Sequence, residues 1–425
     1  MDKITCLENK RIVLAATGSI AVYKAVDLAS KLTQAGALVD VIMTDAAQKF
    51  VAPITFQAVT GRPVYTDMWQ TENGGGLGTH IAHVGLGEGA DLIAIVPATA
   101  NTMAKLAQGM ADNLLTVTAL AARCPIVLAP AMDGGMYEHP ATQANVNTLL
   151  ERGVYLIQPE EGRFASGLTG RGRLPETPTL MGHIRRVLAK NGSLAGKHVV
   201  VSAGPTREAF DPVRFISNHS SGKQGYAIAQ AALDAGADVT LISSVNLPAP
   251  IGATIVKMDS ALDLQSAVLN AIVHDPSADV LIMSAAVADF RPAERAEQKI
   301  KKKGDDEGMH ITLERNPDVL KSVYELRQNP QKLSSGEQGN LARLQVVVGF
   351  AAESENLLNN AQIKVKRKGL DFIVANDISA QDAGFAVDNN RVVFLHKDGT
   401  QESFDLMSKA KVAEQIIDRV AKLLS

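Results

Sequence analysis

Short apolar segments alternate with amphipathic stretches along most of the chain. Residues 11–17 form a β-branched apolar segment, Gly18 follows it, and the next stretch has apolar residues at helical spacing as far as Gly36. Segments that are apolar at nearly every position are typical of parallel strands covered on both faces. In the first half of the chain this pattern predicts strands at residues 11–17, 38–44, 91–99, 125–132 and 154–159.

A second series of strands and helices begins near residue 197. It contains a helical stretch at residues 222–234, and it predicts strands at residues 197–206, 279–286, 345–352, 371–377 and 391–396. Strands that alternate with helices favour an α/β fold with two doubly wound, Rossmann-like parallel-sheet domains. The polar, glycine-containing segment 189–197 places the boundary, giving domains at residues 1–190 and 191–425. The polar tract 328–340 predicts a mobile surface loop.

Composition narrows the class of protein. The chain has 425 residues, of which 46% are hydrophobic and 20% are charged, so it can bury substantial cores and is not intrinsically disordered. A formal net charge of −3 gives no reason to expect a nucleic-acid or membrane partner. We expect a soluble cytoplasmic protein for three reasons. The chain has only two cysteines, its start does not resemble a signal peptide, and it has no long apolar segment.

Hydroxyl and amide residues follow several of the predicted strands in the first half. Thr17, Gly18 and Ser19 come after the first strand, Thr44 after the second, and the segment 97–102 ("PATANT") after a later one. The carboxyl ends of parallel strands meet at one edge, where the helix N-termini attract phosphate groups. This convergence predicts a site for a phosphorylated cofactor, although a purely structural strand–helix turn explains the first cluster equally well.

Longer motifs connect the sequence to a known enzyme family. In the first half, "TGSIAVYKA", "PATANTMAKLAQGMADNLL" and "PAMDGGMYEHPAT" resemble flavin-dependent cysteine decarboxylases. In the second half, "SAGPTREAFDPVRFISNHSSGKQGYAIA", "SAAVADFRP", "RNPDVL" and "KVKRKGLDFIVAND" resemble phosphopantothenate–cysteine ligase. Their order resembles that of the bacterial bifunctional phosphopantothenoylcysteine decarboxylase / phosphopantothenate–cysteine ligases of coenzyme A biosynthesis.

For the first domain the resemblance implies bound FMN and decarboxylation of phosphopantothenoylcysteine. It implies that His83 is the general base, with the nearby His80 as the alternative. Two residues depart from the family pattern: Asp133 replaces an asparagine, and Ser166 replaces the cysteine that serves as the proton donor. The implied cofactor-binding residues are Gly18, Ser19, Ile20, Thr44, Pro97, Ala98, Thr99, Asn101 and Ala131.

For the second domain the resemblance implies activation of 4'-phosphopantothenate by CTP to an acyl-cytidylate, followed by coupling to cysteine. Arg214, Asn218 and Lys299 are the implied catalytic residues, and Asp289 is the implied Mg²⁺ ligand. The implied CTP-binding residues are Met283, Ser284, Ala285, Asp289, Lys299, Pro317, Asp318, Val319, Leu320, Phe350, Lys364 and Lys368. Residues 220–222 ("SSG") are a further candidate for an anion cradle, or simply a helix N-cap.

Three hypotheses remain. The first is the bifunctional enzyme, with the substrates CTP, 4'-phosphopantothenate, cysteine and phosphopantothenoylcysteine. The second is an active ligase whose first domain binds FMN but serves mainly in assembly, since Asp133 and Ser166 depart from the family pattern. The third is a nicotinamide oxidoreductase, which the lack of a GxGxxG fingerprint disfavours. The resemblance also implies a homo-oligomer with trimeric flavin domains and dimeric ligase domains, for which a dodecamer is the candidate assembly.

Overall fold

The computed structural model describes residues 3–69, 82–164, 167–301, 309–353, 357–377 and 389–425. The chain divides into two compact units, Met1–Ala189 and Lys190–Ser425. In these described ranges, no helix combines the length and the apolar character needed to cross a membrane.

The first unit contains a parallel sheet with the strand order β3-β2-β1-β4-β5-β6. The order reverses between β1 and β4, so this sheet is doubly wound. Beyond it, β7 and β8 form an antiparallel hairpin. The strands are β1 (Arg11–Ala16), β2 (Leu38–Met43), β3 (Val64–Tyr65), β4 (Leu92–Ala98), β5 (Ile126–Pro130), β6 (Tyr155–Leu156), β7 (Glu160–Arg163) and β8 (Thr169–Arg173).

Helices cover both faces of this sheet. Successive residues of β1 point to opposite faces: Ile12 and Leu14 pack in one core cluster, and Val13 and Ala15 pack in the other. This two-sided burial is the reason why the strands are continuously apolar. The helices are α1 (Val22–Gln34), α2 (Asp45–Gln48), α3 (Pro53–Thr60), α4 (Ala82–Gly89), α5 (Ala100–Gln108), α6 (Leu114–Ala121), α7 (Gly134–Glu138), α8 (Pro140–Glu151) and α9 (Thr177–Leu188), and a 3₁₀ turn follows at Ala189–Asn191.

The second unit contains an eight-stranded sheet with the order β13-β12-β9-β14-β17-β18-β20-β21. The six strands from β13 to β18 run parallel, while β20 and β21 extend the sheet in antiparallel fashion. The strands of this sheet are β9 (His198–Ala203), β12 (Asp238–Ser243), β13 (Ala253–Lys257), β14 (Val280–Met283), β17 (Val346–Glu353), β18 (Phe372–Asp377), β20 (Val392–His396) and β21 (Gln401–Ser403).

Three small antiparallel pairs lie outside this sheet, and helices again cover its two faces. The paired strands are β10 (Arg207–Ala209) with β11 (Phe215–Ser217), β15 (Phe290–Pro292) with β16 (Leu313–Arg315), and β19 (Asn389–Asn390) with β22 (Met407–Ser408). The helices are α10 (Lys223–Asp234), α11 (Ala261–Val273), α12 (Val319–Gln328), α13 (Ser335–Ala342), α14 (Leu357–Lys368) and α15 (Lys409–Leu424), with a 3₁₀ turn at Pro330–Lys332.

The fold prediction is confirmed, with two doubly wound parallel sheets. The prediction of a mobile loop at residues 328–340 is wrong. The Ser334 side chain accepts a hydrogen bond from the Glu337 N–H, and the Glu337 carboxylate accepts one from the Ser334 N–H at 2.9 Å. This capping box starts α13, so most of the tract is a 3₁₀ turn and a helix.

Candidate functional sites

The first candidate site lies at the carboxyl edge of the six-stranded sheet, where the strand order reverses. Thr17, directly after β1, is buried; its hydroxyl donates to the Pro97 carbonyl at 2.7 Å and accepts from the Thr99 N–H at 3.1 Å. The Ala98 carbonyl accepts from the Ala131 N–H at 3.0 Å. These bonds hold the loops after β1, β4 and β5 together, so Thr17, Pro97 and Ala98 shape the edge through groups that are already paired.

Two other hydroxyls of the predicted cofactor set cap helices. Thr44 accepts from the Ala47 N–H at the start of α2, and Thr99 accepts from the Thr102 N–H at the start of α5. Asn101 lies exposed in the first turn of α5. The predicted residues therefore do meet at one edge, but Thr44 and Thr99 use their hydroxyl groups in part for local structure.

A cavity of about 370 Å³ opens beside the first loop. It brings together Ser19 and Ile20 from the loop after β1, Ala131 and Asp133 from the loop after β5, and the β7–β8 hairpin. Its size is in the range of small-molecule and cofactor sites. Three basic side chains, those of Lys24, Arg163 and Arg173, also line it.

The loop before α1 is shaped to approach an anion closely. A Cβ atom on Gly18 would lie 2.4 Å from the Cβ of Ala46, so only glycine fits at this position. The N-cap residue of α1 is Ala21, whose side chain offers no hydrogen-bond acceptor to the first turn. Because the helix N-terminus carries a partial positive charge, this loop and the first turn of α1 suit a phosphate group.

The β7–β8 hairpin closes one side of the cavity. The Met132 N–H donates to the Gly172 carbonyl at 3.0 Å, and a Cβ atom on Gly172 would lie 2.3 Å from the Met132 carbonyl oxygen. The hairpin can therefore pack against the loop after β5 only if residue 172 is glycine. Phe164, at the turn of the hairpin, also lines the cavity. Ser166, the predicted replacement for the proton donor, falls outside the described residues.

Asp133 has a local structural role in this cavity. It is the N-cap of α7, and its carboxylate accepts from the Gly135 N–H at 3.1 Å. Asn and Asp serve about equally well as N-caps, so the departure from the family pattern keeps the turn and changes the charge.

His83 lies at the start of α4. Because α4 precedes β4 and returns antiparallel to it, the first turn of α4 lies at the carboxyl edge of the sheet, as the predicted general base requires. Its Nδ1 atom is buried and has no hydrogen-bond partner among the described residues. A buried polar atom without a partner is costly, so this nitrogen needs a partner that the described residues do not supply. The alternative base, His80, falls outside the described residues.

The second candidate site lies at the carboxyl edge of the eight-stranded sheet, where the strand order reverses between β9 and β14. The Ala285 N–H donates to the Ser202 hydroxyl at 3.1 Å, and the Ala288 N–H donates to the Thr206 hydroxyl at 3.0 Å. The Ala286 N–H donates to the Gly204 carbonyl at 2.9 Å. The loops after the two strands are therefore fixed to each other.

A cavity of about 240 Å³ adjoins these loops. Of the residues that the family resemblance assigned to CTP, it is lined by Met283, Ala285, Asp289, Pro317, Asp318, Val319, Leu320, Phe350 and Lys368. Val287, Ala288 and Asn316 complete the lining, and the sequence analysis missed all three. The Asn316 side chain donates to the Ala288 carbonyl at 2.8 Å and so fixes the loop before α12 against the loop after β14.

The charged groups of this cavity are partly paired. Lys368 Nζ lies 3.1 Å from an oxygen of Asp318, which also caps α12. Lys364 lies one turn earlier on α14, as its spacing predicted, but neither Lys364 nor Ser284 lines the cavity. The described residues include no cluster of three or more His, Cys, Asp or Glu side chains suited to a metal ion. Asp289 with Asp318 would therefore fit Mg²⁺ only as a minority of its ligands, with phosphate oxygens supplying others.

The N-terminus of α10 lies at the same edge and contains two glycines, Gly222 and Gly225, which we call the glycine cradle. Its N-cap is Gly222, with a φ angle of +74° and no side chain to cap the helix. The Ser220 hydroxyl instead accepts from the Gly222 N–H at 3.4 Å, so residues 220–222 have a local structural role at the start of α10. A Cβ atom on Gly225 would lie 2.5 Å from the Cβ of Ala203. At the end of β18, the Oδ1 atom of Asn376 is buried and has no partner among the described residues. The sequence analysis missed Gly225 and Asn376, although the glycine spacing was visible.

The predicted catalytic residues of this unit lie on and beside two of its small antiparallel pairs, β10–β11 and β15–β16. The Asn218 side chain donates to the Val287 carbonyl at 3.0 Å, which places it next to the cavity. Arg214 is held by Asp211, and this ion pair keeps the pKa of the Asp211 carboxyl far below its usual range. Lys299 is exposed on the segment after β15, which contacts Arg214 through the Ile300 carbonyl at 3.0 Å. Arg214 and Lys299 are not among the residues that line the cavity.

The comparisons with known proteins cover nearly the whole chain. A family model described as "DNA/pantothenate metabolism flavoprotein C-terminal domain" matches residues 194–424, and one described as "Flavoprotein" matches residues 2–189. The coenzyme A biosynthesis bifunctional protein CoaBC of Bacillus subtilis is 45% identical over 421 residues, covering 98% of each chain. That of Vibrio cholerae is 42% identical over 412 residues, covering 97% of this chain and 98% of its own.

A crystal structure of the C-terminal domain of a coenzyme A biosynthesis bifunctional protein CoaBC is 36% identical, covers 55% of this chain and 98% of its own, and has a TM-score of 0.43. The two family models match in the order that the sequence motifs predicted, and the full-length relatives span the same two segments. The chain therefore belongs to the family of bifunctional coenzyme A biosynthesis proteins.

Proposed function

We propose that this chain joins cysteine to 4'-phosphopantothenate with CTP and then decarboxylates the phosphopantothenoylcysteine formed to 4'-phosphopantetheine. The observation that carries the proposal is that each unit has its own cavity at a strand-order reversal, and each cavity contains residues assigned from the family motifs. Ligands of open α/β sheets bind at such points. Domains at residues 1–190 and 191–425 would carry the decarboxylase and the ligase, respectively.

The residues of the first site fit FMN. The Gly18–Ser19–Ile20 loop and the uncapped N-terminus of α1 suit its phosphate, and the adjoining cavity offers apolar walls from Ile20 and Ala131. When bound, FMN would supply the oxidation of the substrate thiol that makes loss of CO₂ possible. This chain would supply binding, orientation and proton transfer.

Proton transfer in the first site falls to three candidates. We assign the general base to His83, whose buried Nδ1 atom has no partner among the described residues. Ser166 stands where the family has its thiol donor, and a hydroxyl is a far weaker acid than a thiol of pKa about 8.5. Asp133 lines the cavity and is the alternative donor.

In the ligase reaction, a carboxylate resists attack by an amine and has to be activated first. The glycine cradle at α10 and the Lys368–Asp318 pair would hold the triphosphate, while the lining from Met283 to Phe350 would hold the cytidine. Asp289, with Asp318 beside it, would hold Mg²⁺ together with the phosphate oxygens. The Arg214 guanidinium suits the phosphate or carboxylate of phosphopantothenate, and the Asn218 amide can orient the attacked carbonyl.

Exposed apolar side chains support assembly into a homo-oligomer. In the first unit Ile20, Tyr23, Phe50 and Ile54 are between 50% and 65% exposed near the cofactor edge. In the second unit Val213, Phe215, Phe290 and Leu313 are exposed on or beside the two small hairpins that lie near Lys299. Apolar clusters of this kind mark interfaces. We propose that these surfaces join flavin-domain trimers and ligase-domain dimers into a dodecamer, and that the enzyme acts in the cytoplasm.

A second candidate function is an active ligase whose first unit binds FMN but decarboxylates poorly. Asp133 and Ser166 favour it, since both alter the acid–base groups expected in the first cavity. The test for both is an assay of the purified chain with phosphopantothenate, cysteine and CTP in which CMP and CO₂ are measured separately. CMP with stoichiometric CO₂ supports the bifunctional enzyme; CMP with little CO₂ supports the second candidate; no CMP refutes both.

A further inference from the structure

Asp211 is a buried carboxylate of the second unit with several hydrogen bonds. It lies in the turn between β10 and β11, and its side chain is fully buried. One oxygen accepts from the backbone N–H groups of Val213 and Arg214, both at 2.8 Å. The other accepts from the Arg214 guanidinium, at 2.9 Å from Nε, and from the Ile300 N–H at 3.2 Å.

These bonds join two separate segments of the chain. Arg214 also donates from Nη2 to the Ile300 carbonyl at 3.0 Å, so Ile300 is bound through both its N–H and its carbonyl. Ile300 directly follows Lys299. The Asp211 carboxylate therefore sets the position of the Arg214 guanidinium and of the backbone next to Lys299 at the same time.

The bonds to Asp211 and Ile300 leave one side of the Arg214 guanidinium available to bind an anion. Arg214 is 39% exposed at its side chain, and its Nη1 atom has no hydrogen-bond partner among the described residues. The ring of Phe210 lies 5.2 Å below the guanidinium carbon and limits its tilt. A guanidinium held on three sides presents its remaining N–H groups in one direction, which lowers the entropy lost when an anion binds.

We propose that Asp211 is a positioning residue of the ligase reaction, which aligns Arg214 with the Lys299 segment for the anionic substrate. This inference rests on the proposed function. It predicts that loss of the carboxylate weakens substrate binding even where the unit stays folded. A rise in KM of about 10- to 100-fold corresponds to about 1.4–2.7 kcal/mol, which is the scale of one charge-assisted hydrogen bond.

The test compares Asp211→Asn with a matched control, Asp279→Asn, in the full-length chain. Asp279 is also a buried carboxylate of this unit: it accepts from the His198 N–H at 2.8 Å and lies near Arg343, at the opposite edge of the sheet. CMP formation is measured against phosphopantothenate concentration, and thermal unfolding is recorded for both variants. A purely structural loss reduces the amount of active enzyme and so lowers kcat at an unchanged KM.

We expect Asp211→Asn to raise the KM for phosphopantothenate about 10- to 100-fold, and Asp279→Asn to leave it within about twofold. In an Arg214→Ala background, Asp211→Asn should add less than about threefold, because both changes remove the same contact. An unchanged KM in Asp211→Asn, an equal rise in Asp279→Asn, or fully multiplicative losses in the double variant would each overturn the inference. Absence of CMP from the wild-type chain would instead overturn the proposed function.

Discussion

The proposal that the N-terminus of α10 holds the nucleotide can be tested by replacing Gly222. Gly196 of the same unit is a matched control, because its φ angle is nearly the same. Gly222 has a φ angle of +74° and Gly196 one of +75°. Alanine at either position costs about 1–2 kcal/mol for the left-handed backbone. The two differ in space: a Cβ atom on Gly222 would lie 2.6 Å from the Val245 side chain, whereas nothing lies within 4 Å of one on Gly196.

The expected stabilities follow from this difference. For Gly196→Ala the backbone strain alone should lower the Tm of the unit by roughly 2–8 °C, since 1 kcal/mol corresponds to about 2–4 °C in a unit of this size. Gly222→Ala should lower the Tm further than Gly196→Ala does. The added methyl group requires that Val245 moves or that the start of α10 shifts away from β9. A shift there displaces the N–H groups proposed to hold the triphosphate.

An activity assay distinguishes the effect of backbone strain from the effect of moving the N-terminus of α10. Pyrophosphate release from CTP in the presence of phosphopantothenate reports the activation step before cysteine is added. We expect Gly196→Ala to stay within about twofold of the wild-type rate and Gly222→Ala to lose about 10²-fold, the scale expected for misplacement by about 1 Å. Equal rates for the two variants would refute the idea that the N-terminus of α10 holds the nucleotide.

Three further outcomes are expected. Lys299→Gln should nearly abolish CMP formation while leaving the flavin absorbance of the purified protein unchanged; wild-type CMP release would remove Lys299 from the site. Gly18→Ala should lower the FMN content, read from the visible spectrum after gel filtration, whereas Gly336→Ala, at a site with open space around it, should not. The Arg419 guanidinium lowers the pKa of Glu402, so its contribution to stability is present above the ordinary pKa of about 4.3 and is lost as pH falls below it. Thermal unfolding of Glu402→Gln should therefore depend less on pH between about 5 and 3 than that of the wild type.

The positions of the central strands and their parallel pairing follow from features that a sequence displays. Strands buried on both faces are apolar throughout, and helices between them enforce parallel pairing, so β1, β9 and β14 could be placed within a few residues. Short strands on the edges are different: β13 has no continuous apolar pattern because it is largely exposed, and it was missed. Edge strands depend on a neighbour for their hydrogen bonds, which no local pattern encodes.

Some site residues could be assigned from the sequence and others could not. Those in long motifs, such as residues 283–285, Asp289 and residues 317–320, could be assigned by resemblance, and most of them line one cavity. Asp211 and Asn316 could not, because they act by holding backbone groups that are distant in sequence. The hydroxyl of Thr17 gave a misleading signal, since it looks like a phosphate ligand but bridges β1 and β4.

Asp133 stands where the family pattern has asparagine. At this position the geometry of the loop can stay the same while the charge of the side chain changes. As the N-cap of α7, the residue needs only an oxygen that accepts from the Gly135 N–H, which Asp and Asn both provide. The shape of the loop therefore does not select between them. The charge does differ, and the cavity contains Lys24, Arg163 and Arg173. Glu176 pairs with two of these cations, with Lys24 at 2.7 Å and with Arg173 at 3.7 Å. A carboxylate is tolerable beside such cations where it would be costly in an uncharged pocket. The adaptation of the first site should thus be sought in its electrostatics, in how Asp133 and the hairpin residues Arg163 and Arg173 share the charge of the cavity.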